Sequence, residues 1–225
     1  MGRMAHPTGF GTVIFDRDGT LARTLQQWID GYRAAFARRD LGFSDDRIIA
    51  DFLHEHHLVA ARQPDLDFPV TVQEACAFVF AAVARVALYH GAVGLLAALR
   101  TQGMTLALVS SSPRRALERG LGAHGLAGLC RSIIAGDDGF GHKPDALPFT
   151  ETLRRLGADA GQTLFICDSH VDVLAGQAAG CRTCLLRPDA NRPFHDQARL
   201  DGLGADLRIA VLAEVVGLGH LRRHL

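Results

Sequence analysis

Short apolar runs recur along the chain, and most of them stop on a polar functional group. TVIFD (12–16), TLALVS (105–110), SIIAG (132–136), TLFICD (163–168) and RTCLLR (182–187) are continuous runs; DLRIAV (206–211) is a weaker sixth. Strands that are apolar at successive positions are buried on both faces. Between the runs lie helical patterns: 91–103, which starts and stops on Gly, 112–125, 147–157 and 171–180. In the second of these Ser112 is placed as N-cap with Pro113 at the first helical position. Strand alternating with helix predicts an α/β fold, a Rossmann-like parallel sheet with helices on both faces.

Residues 22 to about 88 break the rhythm and contain no convincing strand. Leu25, Trp28, Ile29, Tyr32 and Phe36 recur at helical spacing, and DDRIIADFLHEHH and VQEACAFVFAAVARVAL also read as helical. An insert of this length carries its own small core. The expected organisation is a helical cap over 22–88, inserted after strand one, on an α/β core made of 1–21 and 89–225. Trp28, Phe78 and Phe80 are expected in the cap core. His54, Glu55, His56 and His57 suggest a metal site, but on a helix only His54 and His57 share a face, so a solvated polar face is expected.

The formal net charge is zero, which gives no global electrostatic case for nucleic acid or an anionic membrane. The longest apolar run, 75–84, is too short to span a bilayer. MGRMAHPTG lacks the apolar core of a signal peptide, and His6 stands where myristoylation needs Ser or Thr. These features lead us to expect a soluble, cytoplasmic protein. Five scattered cysteines fit reduced thiols. Cys181 and Cys184 have ligand-like spacing but no second pair, so they read as small residues on an apolar strand. The 24 basic residues are 23 Arg and a single Lys, Lys143. A lysine that escapes so strong an arginine bias marks a place where a planar fork would not serve.

In open parallel sheets ligands bind at the carboxyl ends of the strands. Asp16 and Asp18 follow strand one, Ser110 ends the second run, Asp168 ends the fourth with Asp172 a turn later, and Lys143 lies in the loop GHKPD. Two like charges 4 Å apart repel by about 4 kcal/mol at an effective dielectric near 20, so four aspartates gathered there need counter-charges. Lys143 supplies one. All-oxygen donors favour a hard divalent ion, magnesium (Mg2+), as the other, and magnesium commonly binds substrate phosphate. Asp16 and Asp18, two apart past a strand end, can point the same way. One could attack phosphorus while the other gives and takes protons. Gly19 permits a tight backbone beside the phosphate, and Thr20 can hydrogen-bond in the turn.

FDRDGTL, VSSS, HKP and CDSHVD resemble, in order, the four motifs of the haloacid dehalogenase superfamily. The helical insert resembles the C1 cap of its phosphoglycolate-phosphatase-like branch. The resemblance implies Asp16 as the nucleophile that forms an aspartyl-phosphate and Asp18 as acid, then base. It implies magnesium held by the Asp16 side chain, the Asp18 main-chain carbonyl and Asp168, with Asp172 in support. Ser110 and the Ser111 N–H would grip phosphate oxygens, with Gly19 and Thr20 beside them, and Lys143 would orient Asp16 and balance charge. Cys167, His90 and Pro148 depart from the common pattern without removing any of these groups.

The leading expectation is a magnesium-dependent phosphatase acting on a small phosphorylated metabolite, as a monomer or homodimer. The alternatives are a sugar-phosphate mutase and a non-catalytic phosphate-ligand-binding protein. A dehalogenase would lack Asp18, and the phosphonate-cleaving branch needs a cap lysine that is absent here. GFGT (9–12) precedes a strand and so is no dinucleotide fingerprint, and GHKP is no phosphate loop. Trp28, Tyr32 and Arg33 are candidates for the cap entrance by position, with core and surface the blander roles for each.

Overall fold

A computed structural model describes residues 9–217; the readings placed on the N-terminal residues before Gly9, His6 among them, lie outside the described residues. The six apolar runs form β1 (Thr12–Phe15), β2 (Thr105–Val109), β3 (Ser132–Ile134), β4 (Thr163–Cys167), β5 (Arg182–Leu186) and β6 (Leu207–Ile209). They make one parallel sheet in the order β3-β2-β1-β4-β5-β6. The strand order reverses at β1, and a crevice opens at such a switch point beyond the strand ends.

Alternate strand residues fill two cores. Val13, Phe15, Leu106, Leu108, Leu164 and Ile166 pack with α5 (Ala92–Thr101) and α6 (Arg114–Ala123) through Leu95, Leu96, Leu99, Leu117 and Leu121. Ile14, Ala107, Val109, Phe165 and Cys167 pack on the other face with Phe149 and Leu153 of α7 (Leu147–Leu156) and Val173 of α8 (His170–Ala178). Continuous apolar strands are what a sheet covered on both faces requires. Cys181 and Cys184 are buried, unpaired and part of these cores.

The segment after β1 is helical: α1 (Leu25–Ala37), α2 (Asp45–Ile48) running into a π-helical turn (Ile49–Leu53), α3 (His56–Arg62) and α4 (Phe68–Ala82). It packs its own core around Ile29, Tyr32, Phe36, Ile48, Phe52 and Val79, with Trp28 at the edge. Two expectations fail here. Phe78 is 42 % exposed, and Phe80 turns away from the cap core to lie under Arg115 and Arg119 of α6, with the guanidiniums 4.4 and 4.8 Å from the ring centroid. α4 is apolar nearly all round, so its spacing does not say which face meets which neighbour. The His54–His57 cluster is no solvated helix face either. The chain leaves the π turn at His54 and enters α3 after Glu55; Glu55 is buried, and His54 and His56 line a cleft. The His57 side chain lies outside the described residues.

Candidate active site

Four loops at the carboxyl edge of the sheet, together with the helical layer above, enclose a cleft with about 600 Å³ of empty space, part of it open to solvent. Asp16, Asp18, Ser110, Ser111, Lys143, Asp168 and Asp172 all line it, so these expected site residues come together from distant parts of the chain. Gly19 and Thr20 do not line it. Thr20 is fully buried and its hydroxyl donates to Asp168 Oδ1 (3.4 Å). Gly19 has φ +80°, and a Cβ there would fall 1.9 Å from Asp168 Oδ2. Both residues therefore pack against Asp168.

Asp16 is held where β1 ends by its N–H, which donates to the Ile166 carbonyl. Lys143 Nζ donates to Asp16 Oδ1 at 2.8 Å and also pairs with Asp172 Oδ1. Burial works against charge on Lys143, but Asp16 and Asp172 outweigh it and raise its pKa, so it stays an ammonium. Asp172 is the N3 residue of a capping box on α8: the Ser169 side chain accepts from the Asp172 N–H, and the Asp172 carboxylate accepts from the Ser169 N–H. Its carboxyl is lowered in spite of burial, by Lys143 and by Ser169. Asp16 and Asp168 are pushed well above the usual carboxylate range, first by burial and then by the neighbouring aspartates, which Lys143 only partly offsets.

Asp18 sits differently. Its Oδ1 accepts from Arg17 Nη1 (2.6 Å) and Thr24 Oγ1 (2.5 Å), and its Oδ2 accepts from Ser112 Oγ (2.5 Å). Burial alone would raise this carboxyl, but Arg17, Ser112, Thr24 and Lys143 together lower it. Ser112 is thus a site residue and not a helix cap: α6 starts one residue later than expected, with Pro113 in the cap position and no side-chain cap bond.

Sequence reasoning misses a second set. Asn191 Nδ2 and His195 Nε2 donate to Asp168 Oδ2 at 3.2 and 3.0 Å. Both come from the loop past the end of β5, so the rule that strand ends carry the chemistry applies to them as well. His54, His56, His142 and Trp28 line the outer part of the cleft. Tyr32 is fully buried under them, its hydroxyl 3.0 Å from His56 Nε2, and Arg33 is exposed and paired with Asp30 and Asp45. Among the described residues, Lys143 is the sole lysine or arginine that lines the cleft.

The sequence profile of the haloacid dehalogenase-like hydrolases matches residues 13–186, from the second residue of β1 to the last of β5. The chain belongs to that family. It is a hydrolase of the phosphoglycolate-phosphatase-like kind: it is 34 % identical to phosphoglycolate phosphatase of Rhodospirillum rubrum over 185 residues, 75 % of this chain and 76 % of the relative. It is 29 % identical to N-acetylmuramic acid 6-phosphate phosphatase of Pseudomonas putida over 208 residues, 87 % of this chain and 89 % of the relative. Its fold is similar to the crystal structure of a putative phosphoglycolate phosphatase from Lactobacillus plantarum, with a TM-score of 0.81 at 23 % identity over 93 % of this chain and 99 % of that one.

Proposed function

We propose that this chain is a magnesium-dependent phosphatase that hydrolyses a small phosphomonoester through an aspartyl-phosphate on Asp16, with residues 22–88 as its cap and 1–21 with 89–225 as its core. The observation that carries the reading is Lys143. The lone lysine of the chain reaches the sheet edge and joins Asp16 to Asp172 beside Asp18. The relatives' names agree on phosphate ester hydrolysis and differ in the alcohol, so the substrate is proposed as a class.

The donor set fits a hard divalent cation. Carboxylate oxygens of Asp16, Asp168 and Asp172 lie within 4.8 Å of one another, are buried, and share one ammonium. Those three residues, with the Asp18 carbonyl that the family pattern adds, would hold it; when bound, it would neutralise charge on the phosphate oxygens. Asp16 attacks phosphorus, and Lys143 fixes the attacking carboxylate and offsets the growing negative charge. Ser110 and Ser111, at the end of β2, line the cleft where they can donate to phosphate oxygens. Gly136 lets that loop close: a Cβ there would meet the Ser111 carbonyl at 2.1 Å. Asp18 protonates the departing alcohol oxygen and then takes a proton from the water that cleaves the aspartyl-phosphate. Among the described residues no helix is long and apolar enough to cross a membrane, and unpaired cysteines fit the reducing cytoplasm.

The test is hydrolysis of 4-nitrophenyl phosphate by the purified protein. We expect turnover with magnesium, none in EDTA, and none from Asp16→Asn. Turnover that survives chelation or that substitution ends the reading. Release of inorganic phosphate from a panel of phosphometabolites identifies the alcohol and separates a phosphatase from a mutase, which would return the phosphoryl group to its substrate.

A further inference from the structure

Arg17 stands between the two aspartates that follow β1, and it is 2 % exposed. Its Nη1 makes an ion pair with Asp18 Oδ1 at 2.6 Å, while Nη2 is buried without a hydrogen-bond partner among the described residues. A buried guanidinium with an unmet donor is costly, so something must hold it there. A guanidinium carries five N–H donors. The ion pair of Arg17 goes to the candidate acid and base.

The seat for this side chain is cut into α6. A Cβ on Gly120 would lie 2.6 Å from Arg17 Nη2 and 3.2 Å from Cζ and Nε. Glycine inside a helix is less stable than alanine, so α6 gives up stability at the one place where the guanidinium rests on it. The other oxygen of Asp18 is treated differently. Oδ2 accepts from Ser112 Oγ and, at 3.4 Å, from Ser110 Oγ, two residues that line the cleft.

We propose that Arg17 is a positioning residue for Asp18: seated over Gly120, its guanidinium clamps Oδ1 so that Oδ2 faces the ester bond to be broken. This rests on the phosphatase reading above. In the first half-reaction an Asp16 oxygen bonds to phosphorus as the bond from phosphorus to the ester oxygen breaks, and the proton on Asp18 passes to that oxygen to give the free alcohol. In the second, water bonds to phosphorus and gives a proton to Asp18 as the Asp16–phosphate bond breaks, releasing inorganic phosphate. Misplacing Asp18 harms the first half most when the departing oxygen is basic and needs the proton.

Phenyl phosphate and 4-nitrophenyl phosphate are alike in shape and differ in that basicity. Their kcat/KM covers events up to the aspartyl-phosphate, so it reads proton donation and not the later hydrolysis. Arg17→Met should lower kcat/KM for phenyl phosphate about tenfold more than for 4-nitrophenyl phosphate. Gly120→Ala, which keeps the charge and displaces it, should show the same bias at smaller size. Gly122→Ala, on the same helix but with no described residue within 4 Å of its Cβ, should leave the ratio unchanged. Equal losses on both substrates, or none on either, overturn the proposal. Gly120→Ala matching Gly122→Ala overturns it too, and that pair decides if Arg17→Met does not fold. A wild-type protein that hydrolyses neither ester overturns the phosphatase reading, and this proposal with it.

Discussion

At the scale of one residue, Lys143 shows why the two basic side chains do not interchange. A compact ammonium sits between two carboxylates from different elements, Asp16 after β1 and Asp172 on α8, with all three side chains at most 5 % exposed. A guanidinium is wider and presents its donors in a fixed plane, so it would push Asp16 away from the line of attack proposed for it. Lys143→Arg keeps the charge and changes the shape. It should lower kcat at least tenfold, about 1.4 kcal/mol of barrier, in steady-state hydrolysis of 4-nitrophenyl phosphate. A rate within about twofold of wild type would show that the ammonium is not required there, since so small a change is under half of that barrier. The arginine bias of the rest of the sequence makes this residue legible from composition and motif alone. The same bias hides Arg17, one of 23 arginines and, by its spacing, an ordinary turn residue.

At the scale of the element, α8 shows how local sequence places a carboxylate. Ser169 caps the helix, and the capping box returns the Asp172 carboxylate to the first turn, where it also meets Lys143. A negative group there is favoured by the helix dipole as well. Ser169→Ala should lower unfolding stability by about 1 kcal/mol, the usual worth of a cap, measured by urea titration. It should also raise the magnesium concentration needed for half-maximal activity, because Asp172 loses the hydroxyl that fixes it. A change in stability with no change in magnesium dependence would separate the cap from the proposed metal site. Elements of this kind are readable because capping and strand burial are set by neighbours in sequence. The six strands are visible for that reason, as are the acids that follow them. Asn191 and His195 stand further past β5, which ends at Leu186, their partner Asp168 follows another strand, and polar residues in a loop look alike until the strands are placed side by side. His54 and Glu55 mislead because their burial comes from docking of one helical layer on another, which periodicity along one segment does not encode.

At the scale of the whole molecule, the helical layer and the sheet domain meet in a polar seam that includes buried imidazoles. Glu55 accepts from Arg199 and His170 of the sheet domain and from Arg62 of its own layer. His54 Nε2 donates to the Phe194 carbonyl at 2.9 Å, and its ring stacks on His195 with centroids 4.8 Å apart. Burial first, and then the neighbouring His195, push the pKa of His54 from 6.5 down to about 3, so it is neutral in the folded protein. Unfolding returns it to its ordinary range. Between the two values the unfolded chain binds a proton that the folded chain does not, and acid therefore favours unfolding. The stability that neutral His54 contributes is complete above about pH 6.5 and drains away as the pH falls toward 3. Without the cation, Asp16 and Asp168 act with the opposite sign, since their raised values make the folded state hold protons longer, so a wild-type curve alone mixes the two. His54→Gln isolates one of them: glutamine can still donate to the Phe194 carbonyl and takes up no proton. At fixed magnesium, the unfolding free energy of wild type should fall more steeply than that of the variant between about pH 6 and 4, by up to about 1.4 kcal/mol per pH unit. Parallel curves over that range would mean that His54 is solvated in the native state, and that the seam seen here opens in solution.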